Sequence, residues 1–391
     1  MACNISPSAQ AIRFTRSLSK TKQMSTQTCS AAVLVDFEKP LEIRTYPLPE
    51  ELAPGELLVK VEMAGICGTD VHLWLGQLPI PLPVIMGHES AGKIVRMGSA
   101  ETVDWSGQPL SVGDRITWAS SIVCGQCYYC KEKAQPTRCL SRKAYGISYC
   151  SNDAPHLRGG YAEYIVLRKG TSTFLLPESL ETEAIIGAGC ALTTAIHGLE
   201  RAPLKTGDNV VIQGAGPVGL AALALAKEAG AAKIILIGAP QPRLEMGLDF
   251  GATSAISIEE VPNQKARNAL VLEQTGGFGA DIVIECVGYP AAFVEGLDLC
   301  RDGGTYLVLG QYANAGDVPM NPHTITRKQL NVVGSWAFEP RHVHRAIHWL
   351  DSTPWKQKFA KQVTHHFPLA QADEALNTVR KHLSGKAVIV P

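Results

Sequence analysis

The chain has 391 residues, enough for two domains of ordinary size and too many for one small core. Apolar residues make up 46% and charged residues 18%, a composition that fits a packed globule and excludes a disordered chain. Lysine plus arginine equals aspartate plus glutamate at 36 each, so no net basic field attracts nucleic acid or anionic lipid. No apolar run reaches the roughly 18 to 20 residues of a membrane span, and the expected partner is a small molecule.

Residues 1–30 stand apart. They carry Arg13, Arg16, Lys20 and Lys22 among several serines and threonines, with no acid before Asp36. That composition suits a mitochondrial presequence or, equally, a disordered extension with Met24 as an internal start. The expected location is the cytoplasm, or the mitochondrion if this segment is a presequence. From Ala31 to about Phe174 the segments AAVLV, EIRTYPLP, ELLVKVEMAG, AGKIVRMG, DRITWA and YAEYIVL are short and broken by proline and glycine, which predicts an irregular all-β domain. From Asn209 the texture changes. NVVIQGAG leads into PVGLAALALAKEAG, KIILIG into PRLEMGLDFGA, and DIVIECVG into PAAFVEGLDLCR, with TYLVLG following. Apolar strands alternating with helices predict an α/β domain with a doubly wound parallel sheet, AISI before QKARNALVLEQTG being its weakest unit. LNVVGSWAF begins another strand near Leu330, and the remaining tail is long enough to return to the first domain.

Gly214-Ala215-Gly216-Pro217-Val218-Gly219 fits G-x-G-x-x-G between a strand ending at Gln213 and a helix opening at Pro217. Glycines there allow a tight turn and close backbone approach, and the helix start offers N–H groups to a pyrophosphate. The alternative is a glycine turn in another doubly wound fold. An acid that binds the adenosine ribose should end the second strand about twenty residues on, but IILIG ends at Gly238. Arg243 lies near enough in sequence to meet a ribose hydroxyl or a 2′-phosphate, or to be a solvated arginine at a helix start.

Eleven cysteines, an odd number with no secretory signal, point to metal binding rather than a disulfide framework. Cys124-x2-Cys127-x2-Cys130-x8-Cys139 places four thiols in one short loop, the pattern of a closed tetrahedral zinc site with a structural role; the alternative is four unrelated buried thiols. A second set is dispersed: Cys67 in GICGTD, His88 and Glu89 in MGHES, and Cys190 in GAGCALTT. Two cysteines and a histidine would leave zinc a fourth position for substrate, but spacing alone does not join them.

Those residues, with PGELLVKVEMAGICGTD, GHE followed by Gly92 and Gly98, the four-cysteine loop, GGYAEY and GAGPVG, make the chain resemble the medium-chain zinc alcohol dehydrogenase family from about Ala31 onward. The resemblance implies a GroES-like catalytic domain over 31–189 and 335–391 and an inserted Rossmann domain over 190–334. It also implies two zincs per chain, NAD or NADP, and a homodimer or homotetramer. Carried over, Cys67, His88 and Cys190 are the catalytic zinc ligands, and Glu89 is an acid beside the metal. Asp70 orients the zinc histidine, Thr69 takes the alcohol proton, and His72 ends the relay, with a surface histidine as its alternative. Gly214, Gly216, Pro217, Val218, Gly219, Gly238 and Arg243 face the dinucleotide. The implied activity is reversible hydride transfer between an alcohol and its aldehyde or ketone. Cys190 favours this branch over the polyol dehydrogenases, which have glutamate there.

Three features depart from the family: x8 instead of x7 before Cys139, no acid at Gly238, and Gly68 where some members carry a phosphate-binding arginine. The missing acid predicts weak discrimination between NAD and NADP, and Gly238→Asp is expected to restore NAD preference. Two other readings remain: a zinc-free double-bond reductase of the same fold, and a non-catalytic dinucleotide-binding protein.

Overall fold

A computed structural model of the chain describes residues 27–391, so most of the 1–30 segment and its targeting assignment lie outside the described residues. The first strand, Thr28–Leu34, begins ahead of the Ala31 at which the sequence reading starts it. It is flanked by Glu42–Pro47 and Val84–Ile85 in a three-stranded sheet. A seven-stranded sheet follows, built on the antiparallel pair Leu57–Gly65 and Glu89–Met97. Arg115–Trp118 and Thr173–Leu175 extend it on one side, and Tyr164–Leu167 pairs with Leu57–Gly65. The strands Val363–Pro368 and Lys386–Val390 return from the far end of the sequence to complete it on the other side.

Between these parts lies a six-stranded, all-parallel sheet. Its order is Ser254–Ser257, Lys233–Gly238, Asn209–Gln213, Ala280–Glu285, Cys300–Val308, Asn331–Gly334. In chain order that is 3-2-1-4-5-6, the dinucleotide-binding arrangement, and the predicted fold class is the one observed. The strand order reverses between Asn209–Gln213 and Ala280–Glu285, which opens a crevice beyond their carboxyl ends. Val210, Val211 and Ile212 are fully buried because helices cover both faces.

A twenty-residue helix, Thr182–Arg201, joins the seven-stranded and six-stranded sheets. One apolar core surrounds it, drawing Met63, Ala91 and Val388 from the seven-stranded sheet and Ile212, Leu236 and Ile284 from the six-stranded one. The helix is interrupted at Gly189, whose φ of 45° and ψ of −146° lie outside helical geometry. A β-carbon at Gly189 would also sit 2.8 Å from a Glu89 carboxylate oxygen, so glycine is required for both space and backbone sign.

The helix Pro217–Glu228 starts as the motif predicts, with Gly216 at the N-cap and proline in the first turn. Its third glycine, Gly219, packs so closely that a β-carbon would lie 1.8 Å from the Gly214 carbonyl oxygen, whereas the nearest atom to one on Gly216 is Arg243 Nη1 at 4.0 Å. Gly219→Ala is therefore expected to lower stability by about 1–3 kcal/mol or more through overpacking, and Gly216→Ala to leave the melting temperature near wild type. Thermal unfolding of the two variants checks this; equal melting temperatures would refute the close-packing account.

Candidate active site

The strand Leu57–Gly65 delivers the chain to Cys67, which caps the short helix Gly68–Trp74. Asp70, in the first turn, is completely buried and accepts three hydrogen bonds. They come from the Cys67 amide at 2.8 Å, the Tyr161 hydroxyl at 2.9 Å and His88 Nδ1 at 3.2 Å. Because a carboxylate only accepts, Nδ1 of His88 carries a proton, and Nε2 is the nitrogen that a metal would take. Tyr161 belongs to the GGYAEY run, but nothing in its sequence position indicates that it fixes Asp70.

Cys190 arrives from the other direction, on the turn that Gly189 breaks. Its amide donates to Glu89 Oε1 at 2.8 Å, and its Sγ lies 3.4 Å from Cys67 Sγ. One ligand atom each from Cys67, His88, Glu89 and Cys190 lies within 4.8 Å of the others. Tetrahedral zinc with Zn–S of about 2.3 Å separates two thiolates by roughly 3.8 Å, so this donor set fits the ion with little adjustment. Hydrogen bonding to Cys190 lowers the Cys67 pKa and raises that of Cys190, so the pair favours one thiolate and one thiol. Metal binding would release the remaining proton.

Glu89 is held by a residue absent from the sequence reading. Lys386, on the last strand, forms a buried ion pair with Glu89 Oε2, both side chains being 2% exposed. Burial opposes ionisation of Glu89, but the ammonium of Lys386 and then His88 outweigh it, placing the carboxyl at about 2. Burial likewise works against the lysine charge, and Glu89 more than offsets it. Nothing local could have exposed this contact, since the partners are 297 residues apart.

These residues face a cleft of about 240 Å3 with Thr69 and His72 on one wall and Gly216, Pro217 and Val218 on another. His72 Nδ1 lies 2.5 Å from Gln77 Oε1. Buried Glu285 holds the neighbouring strand ends in place, accepting from the amides of Val287, Gly288 and Gly310 at 2.7, 2.6 and 3.1 Å. Gly214 and Gly219 form the turn beneath that wall, as the close approach above requires. Arg243 is engaged elsewhere than a solvated helix start would be: Nε and Nη2 donate to the Ser384 carbonyl at 3.3 and 3.0 Å. Gly238 is more restrictive than its sequence suggests. A β-carbon there would lie 2.9 Å from the Ala215 nitrogen and 3.0 Å from its Cβ. Gly238→Asp, expected to move preference toward NAD, must therefore also shift the turn at Ala215.

Away from the cleft, Cys124, Cys127, Cys130 and Cys139 bring their sulfurs within 4.8 Å of one another. The Cys124 amide donates to Cys139 Sγ and the Cys127 amide to Cys124 Sγ, both at 3.3 Å. Ala134, at φ 50°, and the single turn Pro136–Arg138 carry the longer spacing round to Cys139. Cys150 is not in this cluster.

Comparison with known proteins agrees with this geometry. Residues 53–178 match the alcohol dehydrogenase GroES-like domain, and residues 217–352 match the zinc-binding dehydrogenase domain. The chain is 34% identical to 5-exo-hydroxycamphor dehydrogenase of Pseudomonas putida over 93% of its length and 99% of that protein. It is 31% identical to sorbitol dehydrogenase of Halalkalibacterium halodurans, over 87% and 94% respectively. An alcohol dehydrogenase structure from Thermotoga maritima superposes with a TM-score of 0.88 at 33% identity, covering 93% of this chain and 100% of that one. The chain belongs to the medium-chain zinc-binding dehydrogenase/reductase family, whose chemistry is NAD(P)-linked hydride transfer. Among the described residues no helix is long and apolar enough to cross a membrane.

Removing one partner of the Glu89–Lys386 pair leaves an uncompensated buried charge. Lys386→Met is expected to lower stability by about 3–5 kcal/mol, and adding Glu89→Gln to recover most of it. Denaturant unfolding of both variants measures this; a double variant no better than the single would show that the pair is not what Lys386 contributes.

Proposed function

We propose that the chain is a zinc-dependent alcohol dehydrogenase that moves a hydride reversibly between an alcohol, or its aldehyde or ketone, and NAD or NADP. On this reading a catalytic zinc is held by Cys67, His88 and Cys190 and a structural zinc by Cys124, Cys127, Cys130 and Cys139. The catalytic parts, 31–189 and 335–391, enclose a dinucleotide-binding domain over 190–334 in a homodimer or homotetramer. The observation that carries the reading is one cleft shared by two thiols, one imidazole, the Thr69 hydroxyl and the Gly216–Val218 turn. The relatives named above act on hydroxyl-bearing compounds by name, which supports an alcohol as substrate.

Bound in these places, zinc supplies Lewis acidity toward a substrate oxygen and the dinucleotide supplies the hydride acceptor. The chain's residues do the rest. Asp70 fixes the ring of His88 with Nε2 toward the cleft. Thr69 accepts the alcohol proton, and His72, three residues further along the same helix, takes it toward solvent. Lys386 neutralises Glu89, so the carboxylate adds little net charge beside the thiolates. A double-bond reductase without zinc would have no use for the paired thiols, and a non-catalytic protein none for the hydroxyl and imidazole beside them.

Cofactor choice follows from Gly238, which offers neither hydrogen bonds to a ribose nor repulsion of a 2′-phosphate. Arg243 Nη1, 3.4 Å from His382 Nδ1, also comes within 4.0 Å of where a Gly216 β-carbon would stand, and from there its positive charge would serve NADP. A zinc-binding dehydrogenase from Sinorhizobium meliloti, 28% identical with a TM-score of 0.79 over 93% of this chain and 100% of that one, is bound to NADP. Both cofactors are expected to serve. A wild-type kcat/KM for NADP several orders of magnitude below that for NAD would place the selectivity in another group. A β-carbon on Gly68 meets nothing within 4 Å, so Gly68→Arg is expected to fold normally and tighten dinucleotide binding in a fluorescence titration.

Metal analysis with turnover tests the central reading. Wild type should carry two zincs per chain. Cys67→Ala should lose the catalytic zinc and all turnover of alcohols while keeping the other zinc and the fold. Cys127→Ala should lose the second zinc and melt earlier, because a closed thiolate site contributes folding free energy. Activity surviving Cys67→Ala would sink the assignment.

A further inference from the structure

Three residues with fixed charge line the cleft: Glu89, Lys386 and Arg142. The first two neutralise each other. Arg142 follows the four-cysteine loop, its amide donating to the Cys139 carbonyl at 3.2 Å. Among the described residues its guanidinium has no ion pair and no hydrogen bond. It rests on the face of Trp336, 5.0 Å from a ring centroid. Trp336 is stacked in turn on Tyr312, with centroids 5.8 Å apart and planes 8° from parallel, and both rings line the same cleft. Glu339, which lines a small neighbouring cavity with Arg142, is committed to Arg341 at 2.7 Å. A half-buried guanidinium with no acceptor costs free energy unless a ligand supplies one.

We propose that Arg142 recognises the substrate, and that the alcohol oxidised in this cleft carries a carboxylate or similar small anion. The anion lies against the Arg142 guanidinium while the hydroxyl-bearing carbon faces Cys67, His88 and Cys190. The inference rests on the dehydrogenase reading of that site. Contact with the face of Trp336 anchors the guanidinium, and its N–H donors have no protein acceptor among the described residues, so two of them can meet both oxygens of a carboxylate. Apolar side chains, among them Ile147, Leu309 and Phe338, line the same cleft, and a poorly solvated charge there discriminates between an anion and its neutral analogue. Arg138 also lies over Trp336, at 5.3 Å, but it is exposed and faces a second cavity that shares the indole.

The test compares 3-hydroxybutyrate and 6-hydroxyhexanoate with their methyl esters, using zinc-loaded wild type, Arg142→Lys and Arg142→Met. At least one acid should exceed its ester in wild-type kcat/KM by about 10- to 100-fold, the range of one charge-assisted hydrogen-bond pair. Arg142→Met should bring that ratio near one through the KM of the acid, and Arg142→Lys should retain part of it. Calorimetric binding of the same acid should weaken in parallel. A wild-type preference for the esters, an acid-to-ester ratio unchanged in Arg142→Met, or a defect confined to the KM of the cofactor overturns the inference and leaves Arg142 as a strut of the loop. Acid binding that depends on Arg142 without turnover of any alcohol supports the inference and sinks the dehydrogenase reading. Turnover of alcohols with acid binding indifferent to Arg142 does the reverse.

Discussion

The carboxylate of Glu89 is the point at which three distant parts of the chain become one site. It leaves the strand Glu89–Met97 next to His88, receives the Cys190 amide where Gly189 breaks the long helix, and pairs with Lys386 from the last strand. Each contact depends on the others. Without the lysine the carboxylate would be an unpaired buried charge, and without the glycine the helix would fill the space that the carboxylate occupies. The geometry that sets the two thiols 3.4 Å apart thus rests on a residue that supplies neither.

How much of this was legible in the sequence depended on the range of the interaction. The dinucleotide turn was readable because its parts lie within six residues and each glycine has a local reason. The four-cysteine loop was readable for the same reason, since one short segment supplies the whole cluster. The alternating apolar strands announced the parallel sheet through burial on both faces. Tyr161, Lys386 and Glu285 were not readable, because their roles arise only when strands from separate regions align. The helix Thr182–Arg201 is obscured in the sequence as well, because glycines at 187, 189 and 198 interrupt its pattern although two of them lie within regular helix. Family resemblance joined Cys67, His88 and Cys190, and their joint placement in the fold agrees with it.

Gly238 shows where a residue-by-residue transfer from a family pattern stops. Sequence comparison treats the missing acid as a vacancy that substitution could refill. In the structure the position lies against Ala215, so the turn and the strand end form one packed unit. A side chain at one requires a changed path at the other. A side chain introduced at 238 to alter cofactor preference would call for coordinated change in both segments.

The return of the last strands to the seven-stranded sheet also sets an order of events during synthesis. Cys67, His88 and Glu89 emerge early, Cys190 follows, and the whole dinucleotide-binding unit must be made before Lys386 appears. Until then the nascent seven-stranded sheet lacks the strand that pairs with Ala64 and Gly65, and the carboxylate that will be buried there has no cation. Water can solvate that carboxylate only while the region stays open. During that interval the growing chain carries an open site and an unpaired strand edge.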